Sequence, residues 1–66
     1  MQVRINGKME EVQGGTLSDL LKVKNIDPRM VAVELNSQMV ERDLLETTSL
    51  KEGDEVEFLF YMGGGI

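Results

Sequence analysis

Asn6-Gly7 follows directly on Met1, Val3 and Ile5, which alternate with Gln2 and Arg4. Period two is the signature of a half-buried strand, and Asn-Gly tolerates the positive φ of a type I′ turn. The chain therefore opens with a β-hairpin, its second strand running from Lys8 to Val12. Whatever covers the apolar side of that hairpin must come from the rest of a 66-residue chain that has no cysteine and no histidine. Disulfides and the usual zinc sites are excluded, so hydrophobic packing alone holds the fold. A domain of this size buries only about 60% of the surface its unfolded chain exposes, so the core is thin.

Gly14-Gly15 ends the second strand. Thr16 stands at an N-cap position with Asp19 three residues on, a shorter relative of the capping box. Leu17, Leu20 and Leu21 then form an apolar stripe, with Ser18, Asp19 and Lys22 on the wet side. The pattern predicts a helix of about two turns, closed before Asp27-Pro28 because proline disfavours helical geometry in the residue before it. Val31, Val33 and Leu35 alternate as a third strand, and Asn36-Ser37 turns into a short fourth around Gln38–Val40. Arg42 to Leu50 has no clean period; one tight helical turn near Asp43-Leu44-Leu45-Glu46 is expected, with Leu45 and Leu50 in the core. Lys51-Glu52-Gly53-Asp54 is a turn. Glu55 to Tyr61 is the last strand, with Val56, Phe58 and Phe60 on one face.

The order ββαββ, irregular segment, β fits an α+β roll of β-grasp type, a mixed sheet of about five strands with one helix on one face. The first and last strands lie parallel at the sheet centre, which suits the apolar character of the last. The domain spans residues 1–62, and residues 63–66 form a flexible glycine-rich tail.

Several functions are excluded by composition. Without cysteine or histidine there is no thiolate nucleophile and no imidazole base. The twelve Asp and Glu leave carboxylate chemistry open, but a thin domain offers little room for a dry cleft that would tune them. Net charge is −5 and the seven Lys and Arg are scattered. No basic run exists to neutralise phosphates, which disfavours nucleic acid and anionic membranes alike. The opening residues carry no signal-peptide stretch, and no apolar run approaches a membrane span. The expected location is the cytoplasm. Glu10-Glu11, Glu52-Gly53-Asp54-Glu55 and Glu57 either dock on basic partners or are solvated surface, and Asp54 reads as a turn residue.

Met62-Gly63-Gly64-Gly65-Ile66 carries the chemistry. Three glycines lose the most entropy on ordering and bury no side chain, so an extended arm is expected that threads into a narrow channel of another protein. A carboxylate at its end is inert until adenylated; a sulfur nucleophile can then displace AMP to leave a thiocarboxylate. That route needs no catalytic group on the chain itself, since the activating enzyme supplies the electrostatics. Leu59 and Tyr61 should face away from the helix and, with Ala32, form an apolar patch for partners, unless a loop or the curvature of the sheet covers them.

The whole chain resembles the ThiS family, the ubiquitin-like sulfur carriers of thiamine biosynthesis. The resemblance rests on Asn6-Gly7 behind the opening strand, on Thr16-Leu17-Ser18-Asp19-Leu20-Leu21, and on Val31-Ala32-Val33-Glu34-Leu35-Asn36. It continues through Val40-Glu41-Arg42, Leu50-Lys51-Glu52-Gly53-Asp54-Glu55-Val56-Glu57 and the glycines. It implies a carrier rather than an enzyme, with no bound cofactor of its own. A ThiF-like enzyme would use ATP and magnesium to adenylate Gly65, the second residue of the pair Gly64-Gly65. Sulfur from a cysteine-desulfurase persulfide would follow, and a ThiG-like thiazole synthase would receive it. The family pattern stops at Gly-Gly, so Ile66 is expected to be removed first by a tail-trimming peptidase. Two alternatives stay open: a MoaD-like carrier serving molybdopterin, or a carrier of another pathway such as cysteine assembly, and a β-grasp interaction module whose tail has no role.

Overall fold

The computed structural model describes residues 1–61, and the expectations placed on Gly63, Gly64, Gly65 and Ile66 lie outside that range. Five strands form one sheet in the order β2-β1-β5-β3-β4: β1 (Gln2–Ile5), β2 (Lys8–Glu11), β3 (Val31–Leu35), β4 (Gln38–Val40) and β5 (Glu55–Phe60). The two hairpins are antiparallel, β1 runs parallel to β5, and β5 is antiparallel to β3. The one α-helix among the described residues, α1 (Leu17–Val23), covers one face. This is the β-grasp arrangement read from the pattern.

The first turn forms as its residues dictate, with Asn6 at φ 50° and Gly7 at φ 84°, the doubly positive geometry of a type I′ turn. At the start of α1, Thr16 Oγ1 accepts the Asp19 N–H at 3.2 Å, and an Asp19 carboxylate oxygen accepts the Thr16 N–H at 3.0 Å. The capping box is therefore closed with Asp in the place usually held by Glu or Gln. The helix ends at Val23, four residues before the Asp27 that proline was expected to bar from it. Asn25 turns left-handed at φ 60°, and the Ile26 N–H returns to the Leu21 carbonyl at 2.9 Å, a C-terminal cap made by asparagine. Pro28–Met30 then forms a 3-10 turn that the sequence reading did not anticipate.

Val3, Ile5, Val31, Val33, Val56 and Phe58 point from the sheet into a core completed by Leu17, Leu20 and Leu21. Leu45 and Leu50 close its end as expected, although the helical turn before them is a 3-10 turn over Arg42–Leu44, one residue early. Phe60 departs from expectation. It keeps the alternation of β5 but is 58% exposed, at the strand's last residue and two residues beyond the buried Phe58. Its ring instead meets that of Phe58 edge-on, centroids 6.5 Å apart.

Candidate functional site

Alternation along each strand decides what the second face of the sheet presents. Because Val31, Val33, Val56 and Phe58 are buried against the helix, their neighbours Ala32, Glu34, Glu57 and Leu59 lie on the opposite side. Glu57 and Leu59 are exposed there, and Ala32 and Glu34 are half-buried. The β3–β5 register places Ala32 opposite Leu59 and Glu34 opposite Glu57, and the β3–β4 register adds Met39 beside Glu34. Leu59 is 46% exposed and Tyr61, two residues on, is 53% exposed, while Ala32 is half-buried. The three residues named from the sequence therefore share one neighbourhood at the end of β5, from which residues 62–66 follow. Beside it lies the Glu34–Glu57 pair. Like charges directly opposite each other cost stability in a sheet.

Tyr61 is anchored by its backbone, whose N–H donates to the Met30 carbonyl at 3.0 Å. Its side chain also borders an open depression of about 250 Å³ beside β3, shared with Val31, Ala32, Met39, Arg42 and Leu45. That is below the usual range for small-molecule pockets.

The titratable groups with shifted pKa values are all pushed toward their charged forms by surface hydrogen bonds. The Arg29 guanidinium and backbone N–H hold Asp27 down at about 2. The Thr16 backbone N–H lowers Asp19, and the ammonium group of Met1 lowers Glu11. Each is a structural carboxylate rather than a proton donor tuned for catalysis. Asp54 is the one buried charged residue described. Its carboxylate accepts the Lys51 N–H at 2.8 Å and the Asn36 side-chain amide at 3.0 Å, which makes it a turn residue as read from the sequence. Glu10, in one of the acidic runs, pairs with Lys24 across the groove between β2 and α1 at 2.6 Å. Among the described residues no group of three or more Asp, Glu, His or Cys could hold a metal ion, and no helix is long and apolar enough to cross a membrane.

Two polar side chains escaped the sequence reading, which took Asn6 and Asn36 only as turn formers. Both reach back into β5. Asn36 accepts the Glu55 N–H at 2.9 Å through its side-chain oxygen, and Asn6 grips Phe58. The available signal was an asparagine at the end of a strand in a left-handed position, where the short carboxamide lies close to neighbouring backbone.

Known proteins resemble the chain over its whole length. A family model described as the ThiS family matches residues 3–65. A crystal structure of the thiamine biosynthesis protein ThiS from Geobacter metallireducens superposes with a TM-score of 0.85 at 38% identity, covering 98% of this chain and 100% of that one. A solution structure of a thiamine biosynthesis protein from the same organism gives 0.80 at 36% identity, over 100% of this chain and 90% of that one. Among curated proteins, thiazole synthases from Magnetococcus marinus and Paramagnetospirillum magneticum are 35% and 32% identical over 66 residues. The match covers 98% of this chain but only 20% of each synthase.

Proposed function

The chain belongs to the ThiS family, and from that premise we propose that it is a sulfur carrier of thiamine biosynthesis whose working group is the carboxylate of Gly65. The supporting observation is one of position. The family match ends at Gly65, and in sequence the glycines follow within a few residues of Tyr61 and of the exposed Leu59, whose cross-strand partner is the half-buried Ala32. A body with an exposed apolar face, followed in sequence by three glycines, suits delivery into an enzyme that supplies all the chemistry.

In this reading a ThiF-like enzyme docks on Leu59, Tyr61 and Ala32 and draws Gly63-Gly64-Gly65 into its active site. The Gly65 carboxylate attacks the α-phosphorus of magnesium-bound ATP, and pyrophosphate leaves. A persulfide sulfur from a desulfurase system then displaces AMP and, once its own S–S bond is reduced by a thiol, leaves a thiocarboxylate. A ThiG-like synthase takes the sulfur; the region shared with the two thiazole synthases supports that pairing. Glycine is required because a Cβ would widen an arm that must pass through a narrow channel. Ile66 is β-branched and crowded, so it is removed before activation. The chain itself contributes recognition and reach, and binds neither ATP nor metal.

ATP–pyrophosphate exchange catalysed by a ThiF-like enzyme tests this reading. Exchange should require the protein ending at Gly65 and vanish when residues 64–66 are deleted. Exchange that is indifferent to the deletion would return the chain to the class of interaction modules.

A further inference from the structure

We infer that Asn6 is a positioning residue for the end of β5 that leads to the tail: its carboxamide stands in for a missing β1 residue beside Phe58 and sets the point beyond which the strand is held from the β3 side only. The parallel ladder between β1 and β5 is short, pairing Arg4 with Glu55 and Ile5 with Val56. Every second peptide group along this stretch faces β1. The Asp54 carbonyl accepts the Arg4 N–H and the Val56 carbonyl accepts the Asn6 N–H, both at 2.9 Å. Phe58 is next in that spacing, but β1 has already reversed at Asn6-Gly7 and offers it no backbone.

The Asn6 side chain fills the gap. Its Oδ1 accepts the Phe58 N–H at 2.7 Å, and its Nδ2 donates to the Phe58 carbonyl at 3.4 Å. The two partners also fix which end of the amide is oxygen, since only that orientation satisfies both. Phe58 is buried, so without this contact two backbone groups would be left without partners. Beyond Phe58 the described backbone pairing of β5 is with β3, through Ala32–Leu59 and Val31–Phe60, and the Tyr61 N–H then donates to Met30 just before β3. Up to Phe58 the strand is held from both sides, and after it from one.

Few residues could do this. The position demands φ 50°, which asparagine and glycine tolerate best, and a short side chain that both donates and accepts. Aspartate keeps the acceptor and loses the donor; glycine keeps only the turn. The consequence for delivery rests on the carrier reading. In sequence, Leu59 and Tyr61 lie between Phe58 and the glycines: the β3 ladder holds the docking face, and the clamp adds the second hold on the strand from which the chain runs on to the glycines.

Amide hydrogen exchange of the Asn6→Gly and Asn6→Asp variants tests the clamp without any partner, with the Val33 amide as internal reference. In Asn6→Gly the Phe58 amide should exchange about tenfold faster relative to Val33. In Asn6→Asp it should stay within about threefold of wild type, because the acceptor survives. An unchanged ratio in Asn6→Gly overturns the clamp. Should that variant fail to fold, a tenfold rise in Asn6→Asp would overturn it instead. A second arm reads activation by a ThiF-like enzyme. Asn6→Gly should lower the turnover of ATP-dependent activation while its affinity, measured as competition by the form lacking residues 64–66, stays unchanged. Unaltered turnover overturns the positioning role. A wild-type protein that is never activated overturns the carrier reading, and the exchange ratio still decides the clamp.

Discussion

Ala32 and Leu59 oppose each other across the β3–β5 ladder, on the side of the sheet away from the helix. Their pairing is fixed by the same register that buries Val33 and Phe58 on the other side. A one-residue slip would exchange the two sets, so core formation and the exposed face proposed for docking are specified together. The face needs no separate device to hold it in place.

Because Leu59 and Tyr61 are about half exposed, replacing both with serine should leave the far-ultraviolet circular dichroism of the protein unchanged. It should weaken binding to a ThiF-like enzyme by about tenfold or more, since buried anchor residues dominate interfaces. Titration calorimetry checks this, and unaltered affinity would remove the patch from the account.

The core is small enough that one truncation matters. Leu21→Ala should lower unfolding free energy in urea by about 2–5 kcal/mol, a large share of what so small a domain possesses. Val23→Ala, two positions along the same helix but on its exposed side, should stay within about 0.5 kcal/mol. Equal effects would mean that α1 packs by another face.

Gly15 stands at φ +96°, and a Cβ there would lie 2.5 Å from the Asp19 carboxylate. Gly15→Ala should therefore strain the backbone and displace Asp19 from its cap, costing about 1–3 kcal/mol. Thermal denaturation reads the loss. A variant as stable as wild type would show that the capping box tolerates a different entry of the chain.

Asp19 and Asp27 both titrate lower in the folded protein than in the unfolded chain, Asp27 at about 2 through its bonds to Arg29. Depressed carboxylates stabilise fully above their unfolded pKa of about 4 and lose that contribution as pH falls through the folded value. The melting temperature should hold steady from neutral pH to about 5 and then decline toward pH 2. Asp27→Asn should shrink the decline, and an unchanged slope would contradict the assignment.

Most of the fold was legible because its signals are local. Asn6-Gly7 fixes a hairpin, Thr16 with Asp19 fixes a helix start, and alternation from Val31 to Leu35 and from Glu55 to Phe58 fixes which side chains enter the core. What was not legible depends on distance in space. Phe60 continues the alternation yet is exposed, and alternation cannot report where the covering layer ends. Asn25 closes the helix through a left-handed turn that competes with the more conspicuous Asp27-Pro28. The carboxamides of Asn6 and Asn36 bond partners 52 and 19 residues away, and no local pattern encodes such contacts. The face away from the helix was legible as a parity along β5, with Ala32 named beside it; that Ala32 stands directly opposite Leu59, and Glu34 opposite Glu57, required the register.

The central claim is that sulfur travels on Gly65. Protein ending at Gly65 should be incubated with a ThiF-like enzyme, magnesium, ATP, a sulfur-donating desulfurase and a thiol reductant, then weighed intact and as fragments by mass spectrometry. The expected result is a gain equal to the exchange of one oxygen for one sulfur, confined to the fragment that contains Gly65. An unchanged mass, or sulfur found on any other fragment, would contradict the account.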